Sequence, residues 1–281
     1  MLFARLGSIA ALALCLAANA PTPAASPTPS PTPTAPSDPC GSILSIVNRP
    51  TVTTGVCTVR TGHFDVETGY TNTVTTGIGG GSNANYPAAL LRFGTANPHV
   101  DLEFGPPSYE TTSVGTPLTT GTSDVNLGLK AELGYSANAD WGANVMVAFP
   151  TGSRAFTAGN AQFTGNLNAG YTINPELSLA GTLSFNAFSA INAGGVAQSY
   201  FAFVPSLELS AALPGGPSQI SAEYAYFSAA GPNLGSKNLI DFVYQRDFGS
   251  HLQLDVEYGF SPTSINGQKQ HYVGAGLAFM N

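Results

Sequence analysis

Residues Asp124 to Tyr135, DVNLGLKAELGY, alternate between apolar and polar without interruption. Val125, Leu127, Leu129, Ala131, Leu133 and Tyr135 share one face; Asp124, Asn126, Gly128, Lys130, Glu132 and Gly134 share the other. A period of two is the pleat of a β-strand, whose successive side chains point to opposite faces. Ordinary strands run about 5–6 residues, whereas a tilted strand crossing a bilayer needs about 9–11. One face of this segment suits lipid and the other suits water. The pattern points to a membrane β-barrel.

Composition narrows the alternatives. Only 9% of the 281 residues are charged, against about 25% in soluble domains. Beyond the N-terminus no apolar run approaches the ~18 residues of a membrane helix, which excludes a helical membrane protein. A net charge of −7 with pI near 4.9 argues against a nucleic-acid partner, for which a basic footprint is needed.

Residues 1–20 read as a secretory signal peptide, with Arg5 as the positive n-region, Ile9 to Ala18 as the apolar stretch and Ala18-Asn19-Ala20 as an A-x-A-like site. Residues 21–39 form a Pro/Thr-rich linker that favours extended polyproline II and acts as a semi-rigid tether. Cys40 and Cys57 remain in the exported chain, where an oxidising compartment favours a disulfide between them. Segment 40–61 is expected to be a small disulfide-clipped unit between tether and barrel.

Residues 62–281 carry the barrel. Twelve alternating segments are recognised: 63–74, 86–94, 99–105, 123–135, 140–149, 161–172, 177–187, 200–213, 219–227, 238–247, 251–260 and 270–280. Short connections at 95–98, 136–139, 173–176, 214–218 and 249–250 alternate with long ones at 75–85, 106–122, 150–160, 188–199, 228–237 and 261–269. Bacterial outer-membrane barrels have even strand counts, short periplasmic turns and longer extracellular loops. Aromatics sit at both ends of the strands, as interfacial girdles do; Phe93, Trp141 and Phe248 lie near short turns, and Tyr70, Phe104 and Phe149 near long loops. The expected fold is all-β, a twelve-stranded antiparallel transmembrane β-barrel in the bacterial outer membrane. Its partners would be outer-membrane lipid, the barrel assembly machinery and a small solute.

The run Val147-Ala148-Phe149-Pro150-Thr151-Gly152 resembles a strand end in a family of outer-membrane proteins named for the meta-pathway of phenol degradation, whose members are often labelled transporters. The resemblance spans roughly 62–281. It implies a barrel and passage of a small solute, and it brings no catalytic residues.

Of 16 acidic residues, eleven fall within strands on the polar face: Asp65, Glu67, Asp101, Glu103, Asp124, Glu132, Glu208, Glu223, Asp241, Asp255 and Glu257. Charge facing lipid is costly, so this face should be the lumen. Three strands repeat a motif, His63-Phe-Asp65-Val-Glu67, His99-Val-Asp101-Leu-Glu103 and His251-Leu-Gln253-Leu-Asp255-Val-Glu257, with His and carboxylates on one parity. His63, His99 and His251 are expected at the periplasmic mouth. Arg92 and Lys130 should compensate Asp101 and Glu103, while Gly274, Gly276 and Ala278 leave space beside Asp65, Glu67, Asp255 and Glu257. Three readings of this acidic wall stay open: a lumen-packing hydrogen-bond network, a cation-preferring pore or solute site, or an ion site of carboxylates and His. No cofactor is expected. Transport, or a structural or adhesive role with a filled lumen, stands ahead of a membrane-embedded hydrolase, for which these histidines lack an obvious nucleophile and the chain lacks a G-x-S-x-G elbow.

Overall fold

The computed structural model describes residues 38–281 except 78, 116, 117, 193 and 266. The signal peptide assigned to 1–20 and most of the 21–39 tether lie outside the described residues. One short helix, α1 (Ile43–Ile46), precedes β1 (Phe64–Thr76), β2 (Gly81–Tyr86), β3 (Leu90–Gly94), β4 (Val100–Gly105), β5 (Tyr109–Ser113), β6 (Leu118–Thr122), β7 (Val125–Tyr135) and β8 (Ala139–Phe149). There follow β9 (Gln162–Asn174), β10 (Leu177–Ile191), β11 (Ala197–Ala212), β12 (Ser218–Phe227), β13 (Lys237–Phe248), β14 (Leu252–Phe260) and β15 (Lys269–Met280).

All pairings are antiparallel, and β15 returns to pair with β1 from Asp65↔Met280 to Thr76↔Lys269, closing a twelve-stranded barrel. Fifteen strands make twelve staves because three staves are interrupted: β2 and β3 at 87–89, β4 and β5 at 106–108, β6 and β7 at 123–124. Pro87, Pro106 and Pro107 stand at two of these breaks, and proline has no N–H for the ladder. Side chains stitch the interruption: Ser108 N donates to Ser123 Oγ at 2.8 Å and Ser108 Oγ to the Pro87 carbonyl at 2.9 Å. Tyr70, Tyr86 and Tyr109 cluster on the outside beside it, with ring centroids 6.5 and 5.3 Å apart.

Beyond the breaks, the end of β1 pairs with β2, β2 with β5 and β5 with β6. Segments 75–85 and 106–122 are therefore largely strand, where the sequence pattern indicates loops. The reason is physical. Alternation is imposed by lipid on one side and water on the other, and GSNANY, YETTS and LTTGT meet water on both. Thr and Tyr still favour extended backbone, so the ladder continues after its signature has ended.

Within the barrel proper the two faces sort as the alternation requires. On β7, Leu129 is 46% exposed to the outside while its neighbour Lys130 is fully buried inward. All eleven strand carboxylates named above are buried on the inner side.

The disulfide joins Cys40 and Cys57, with Sγ–Sγ 2.01 Å. The segment it clips lies inside the barrel, where Ile43 and Val47 pack on Ala278, and Cys40, Ile46, Cys57 and Val59 form a cluster against which Met280 packs. This plug is the apolar core of the molecule. Short side chains on the inner face of β15 make room for it, and the plug's own isoleucines and valines need somewhere dry.

The lipid-facing assignment is testable. Leu129→Lys should lower unfolding stability in lipid vesicles by about 2–4 kcal/mol, whereas Thr119→Lys on β6, outside the apolar band, should cost about 0.5 kcal/mol or less. Urea titration of the two variants beside the parent chain measures the difference.

Candidate functional site

A chain segment with little regular structure carries backbone N–H groups that must find acceptors once buried. In the plug they find the wall carboxylates. Asn48 N and Arg49 N donate to the two oxygens of Glu67, each at 3.0 Å. Val52 N and Thr53 N donate to Glu223 at 2.9 and 2.5 Å, and Val59 N donates to Asp101 at 2.9 Å. The neutral side of the wall contributes Thr182, whose hydroxyl accepts from Thr54 N at 2.9 Å, and Ser206, which accepts from the Thr53 hydroxyl at 2.8 Å. Gln245 Nε2 donates to the Arg49 carbonyl at 2.8 Å. Residues on β1, β4, β10, β11, β12 and β13 thus grip one short segment from around the lumen.

Wall cations grip it too. Arg92 on β3 is fully buried and donates to the carbonyls of Ile46 and, at 2.8 Å, Cys57. The same guanidinium lies 2.6 Å from Asp101, 3.7 Å from Glu67 and Glu103, and 3.9 Å from Asp65. One cation therefore serves four buried carboxylates. Lys130, expected to compensate Asp101 and Glu103, stands directly opposite Asp101 across β4 and β7. Its ammonium instead donates to Asn48 Oδ1 of the plug at 2.7 Å, and the close pair of Asp101 is with Arg92.

The second acidic patch is the one flanked by glycines. In register, Asp255 on β14 faces Gly276 on β15, and Gly276 faces Gly69 on β1. Arg49 of the plug lies in that slot. A Cβ at Gly69 would stand 2.2 Å from its Nη2, and one at Gly276 2.5 Å from its Nε. Its guanidinium reaches Asp255 at 3.5 Å. One row further, Glu257 faces Gly274, where a Cβ would stand 2.0 Å from the carboxylate, and accepts from the Thr71 hydroxyl at 3.3 Å. Asp65 lies on the other side, 3.9 Å from the Arg92 guanidinium, and the plug's own cation pairs with Asp255.

The histidines part company. His63 Nδ1 lies 2.6 Å from the Asn281 carbonyl and His251 Nδ1 2.7 Å from that of Met280, so both sit on the last residues of β15 where the barrel closes. His99 stands apart on the β4 side, 3.5 Å from Glu132. None of the three reaches the carboxylates of its own motif by hydrogen bond or ion pair among the described residues. Asp38, Cys40 and Glu132 come within metal-ligand spacing, but the Cys40 sulfur is held in the disulfide and Arg60 bridges the two carboxylates at 2.6 and 2.9 Å. That cluster is an ion-paired clasp rather than a metal centre.

The family-like motif has a local cause. Asp124 accepts from Gly152 N at 2.8 Å and Ala158 N at 2.9 Å, and Thr151 Oγ1 accepts from Val125 N at 3.0 Å. Pro150-Thr151-Gly152 is the turn by which loop 150–161 folds back onto the rim, with Ser153 N bonded to the Thr122 carbonyl at 2.9 Å.

The family described as "Putative MetA-pathway of phenol degradation" matches residues 47–279, from within the plug to the last strand. The chain belongs to that family. No curated protein matches it in sequence. Among solved structures it is similar to an outer membrane channel from Pseudomonas putida F1, at 12% identity and TM-score 0.59, covering 80% of this chain and 98% of that one. It is also similar to the NanC porin, at 10% identity and TM-score 0.50, covering 77% and 98% respectively. At such identities the likeness is one of fold.

Asn48, Arg49 and Arg60, all in segment 40–61, are site residues that the strand pattern does not reveal. The charge count does carry a hint. With 16 acids against nine Lys and Arg in the chain, and eleven acids inside the barrel, the cations of segment 40–61 had good reason to join them. Arg92→Met should test the network: it leaves several buried carboxylates without a cation and should cost about 3–5 kcal/mol. Denaturant unfolding in detergent, followed by the heat-dependent gel mobility of the barrel, measures it.

Proposed function

We propose that this protein is a bacterial outer-membrane channel that passes or binds small hydrophilic, neutral or cationic solutes through an acidic lumen, with segment 40–61 as a plug that narrows the passage. The carrying observation is the inward row of eleven carboxylates in a closed barrel, several of them held to the plug rather than to wall cations. Rings of Asp and Glu in a pore favour cations over anions. The family membership and the outer-membrane structures of like fold support a channel. The signal-like 1–20 segment and the strand-end aromatics support export to the outer membrane, with short turns in the periplasm and barrel assembly machinery as the insertion partner. Asp65, Glu67, Asp101, Glu103, Asp255 and Glu257 would set selectivity, with Arg92 and Lys130 fixing the plug against them; no residue is assigned a catalytic role.

A second reading has an observation of its own. The plug touches residues on six strands around the lumen, which favours a closed structural or adhesive barrel. Planar-bilayer recording separates the two. The full chain should give a small, cation-preferring conductance, and removal of residues 40–61 should raise it at least about tenfold while the barrel stays folded. Asp255→Asn with Glu257→Gln, in the plug-less chain, should shift the reversal potential toward non-selectivity. Silence from a folded plug-less barrel would sink the channel reading, and unchanged selectivity would make the acidic wall structural.

A further inference from the structure

One row above the Arg49 slot, the wall carries a second carboxylate, Glu257, folded over Gly274. Asp255 and Glu257 are two residues apart on β14, and each faces a glycine of β15, Gly276 and Gly274. Asp255 has the plug's guanidinium. Glu257, buried on the inner wall, has the Thr71 hydroxyl and no Lys or Arg within ion-pair distance among the described residues. Immediately beside it is a cavity of about 300 Å³, floored by Pro50 and Val52 of the plug and walled by β13, β14, β15 and β1. A carboxylate taken from water needs a counter-charge or hydrogen-bond donors, and here it borders open space that a donor-bearing group can enter.

The same cavity carries one cation at another part of its wall. Lys237 lines it, with Nζ bonded to Gln270 Oε1 at 2.7 Å and set 5.4 Å from the Phe227 ring centroid. Tyr272 and Thr73 supply further polar edges, and the Tyr272 ring lies over Gly259, where a Cβ would stand 2.2 Å away. A pocket whose lining includes one acid, one base and the Thr71 and Thr73 hydroxyls is complementary to a molecule with both charges. A purely cationic ligand would meet Lys237, and an anionic one Glu257.

We infer that this cavity is a binding site for a small zwitterion bearing a guanidinium or ammonium group at one end and a carboxylate at the other, the cation seated on Glu257 and the carboxylate on Lys237. The seated cation lies one row from Arg49, so the ligand stands against the plug as well as the wall. The inference rests on the solute-binding reading above and deepens it.

L-Arginine is the probe. Calorimetry on the full chain in detergent, with no membrane and no transport, should show saturable binding. Agmatine, which lacks the carboxylate, should bind at least about tenfold more weakly. Glu257→Gln and Lys237→Gln should each weaken arginine binding at least about tenfold, and Lys237→Gln should abolish the preference for arginine over agmatine. Heat-dependent gel mobility reports whether each variant is folded, and the arginine–agmatine comparison on the parent chain needs no variant. Absence of arginine binding, or equal binding of arginine and agmatine to the parent, overturns the site. So does unchanged affinity in folded Glu257→Gln. Because binding is read without conductance, a failed channel reading and a failed site give different results.

Discussion

The structure depends on hydrogen bonds between wall carboxylates and the backbone of the plug. Glu67 and Glu223 each take two consecutive N–H groups, and Asp101 takes one. Bonds with an ionised acceptor are shorter and stronger than neutral ones. They solve two problems together, since an irregular segment cannot satisfy its own amides and a carboxylate-rich lumen has few cations. Arg92 and Lys130 complete the arrangement by taking the plug's carbonyl and amide oxygens. Wall and plug are therefore one electrostatic unit, and removing the plug leaves the wall carboxylates to be hydrated by water in its place.

The barrel was readable because lipid writes its own pattern. Strict alternation along DVNLGLKAELGY and its eleven counterparts reports two solvents, and counting the alternating segments gave the twelve staves. The strand extensions β2, β5 and β6 escaped because water on both faces erases the period while leaving the ladder intact. Inward parity of the acids was equally legible, since the pleat fixes it residue by residue.

Partners across the lumen were another matter. Parity places Lys130 and Asp101 on the same face but says nothing of where a long, flexible side chain ends, and the Lys130 ammonium goes to Asn48. Arg49 lies outside every strand, so no periodicity points to its seat. The clue was indirect: Gly274, Gly276 and Ala278 on the last strand mark a place where something must approach the wall closely. The glycines announced a gap, and only the folded chain shows its occupant. The partners of the histidines likewise come only from the fold. His63 and His99 share one spacing to their carboxylates and His251 has another; His63 and His251 bond to the carbonyls of Asn281 and Met280, and His99 lies 3.5 Å from Glu132.

The Cys40–Cys57 bond turns the plug from a thread into a ring. A thread can be reeled through a narrow opening one residue at a time, whereas a ring passes only with two chain widths abreast. Any path by which this segment enters or leaves the barrel must therefore have that clearance. The disulfide sets the minimum bore of the plug's own route, independently of how strongly the wall holds it.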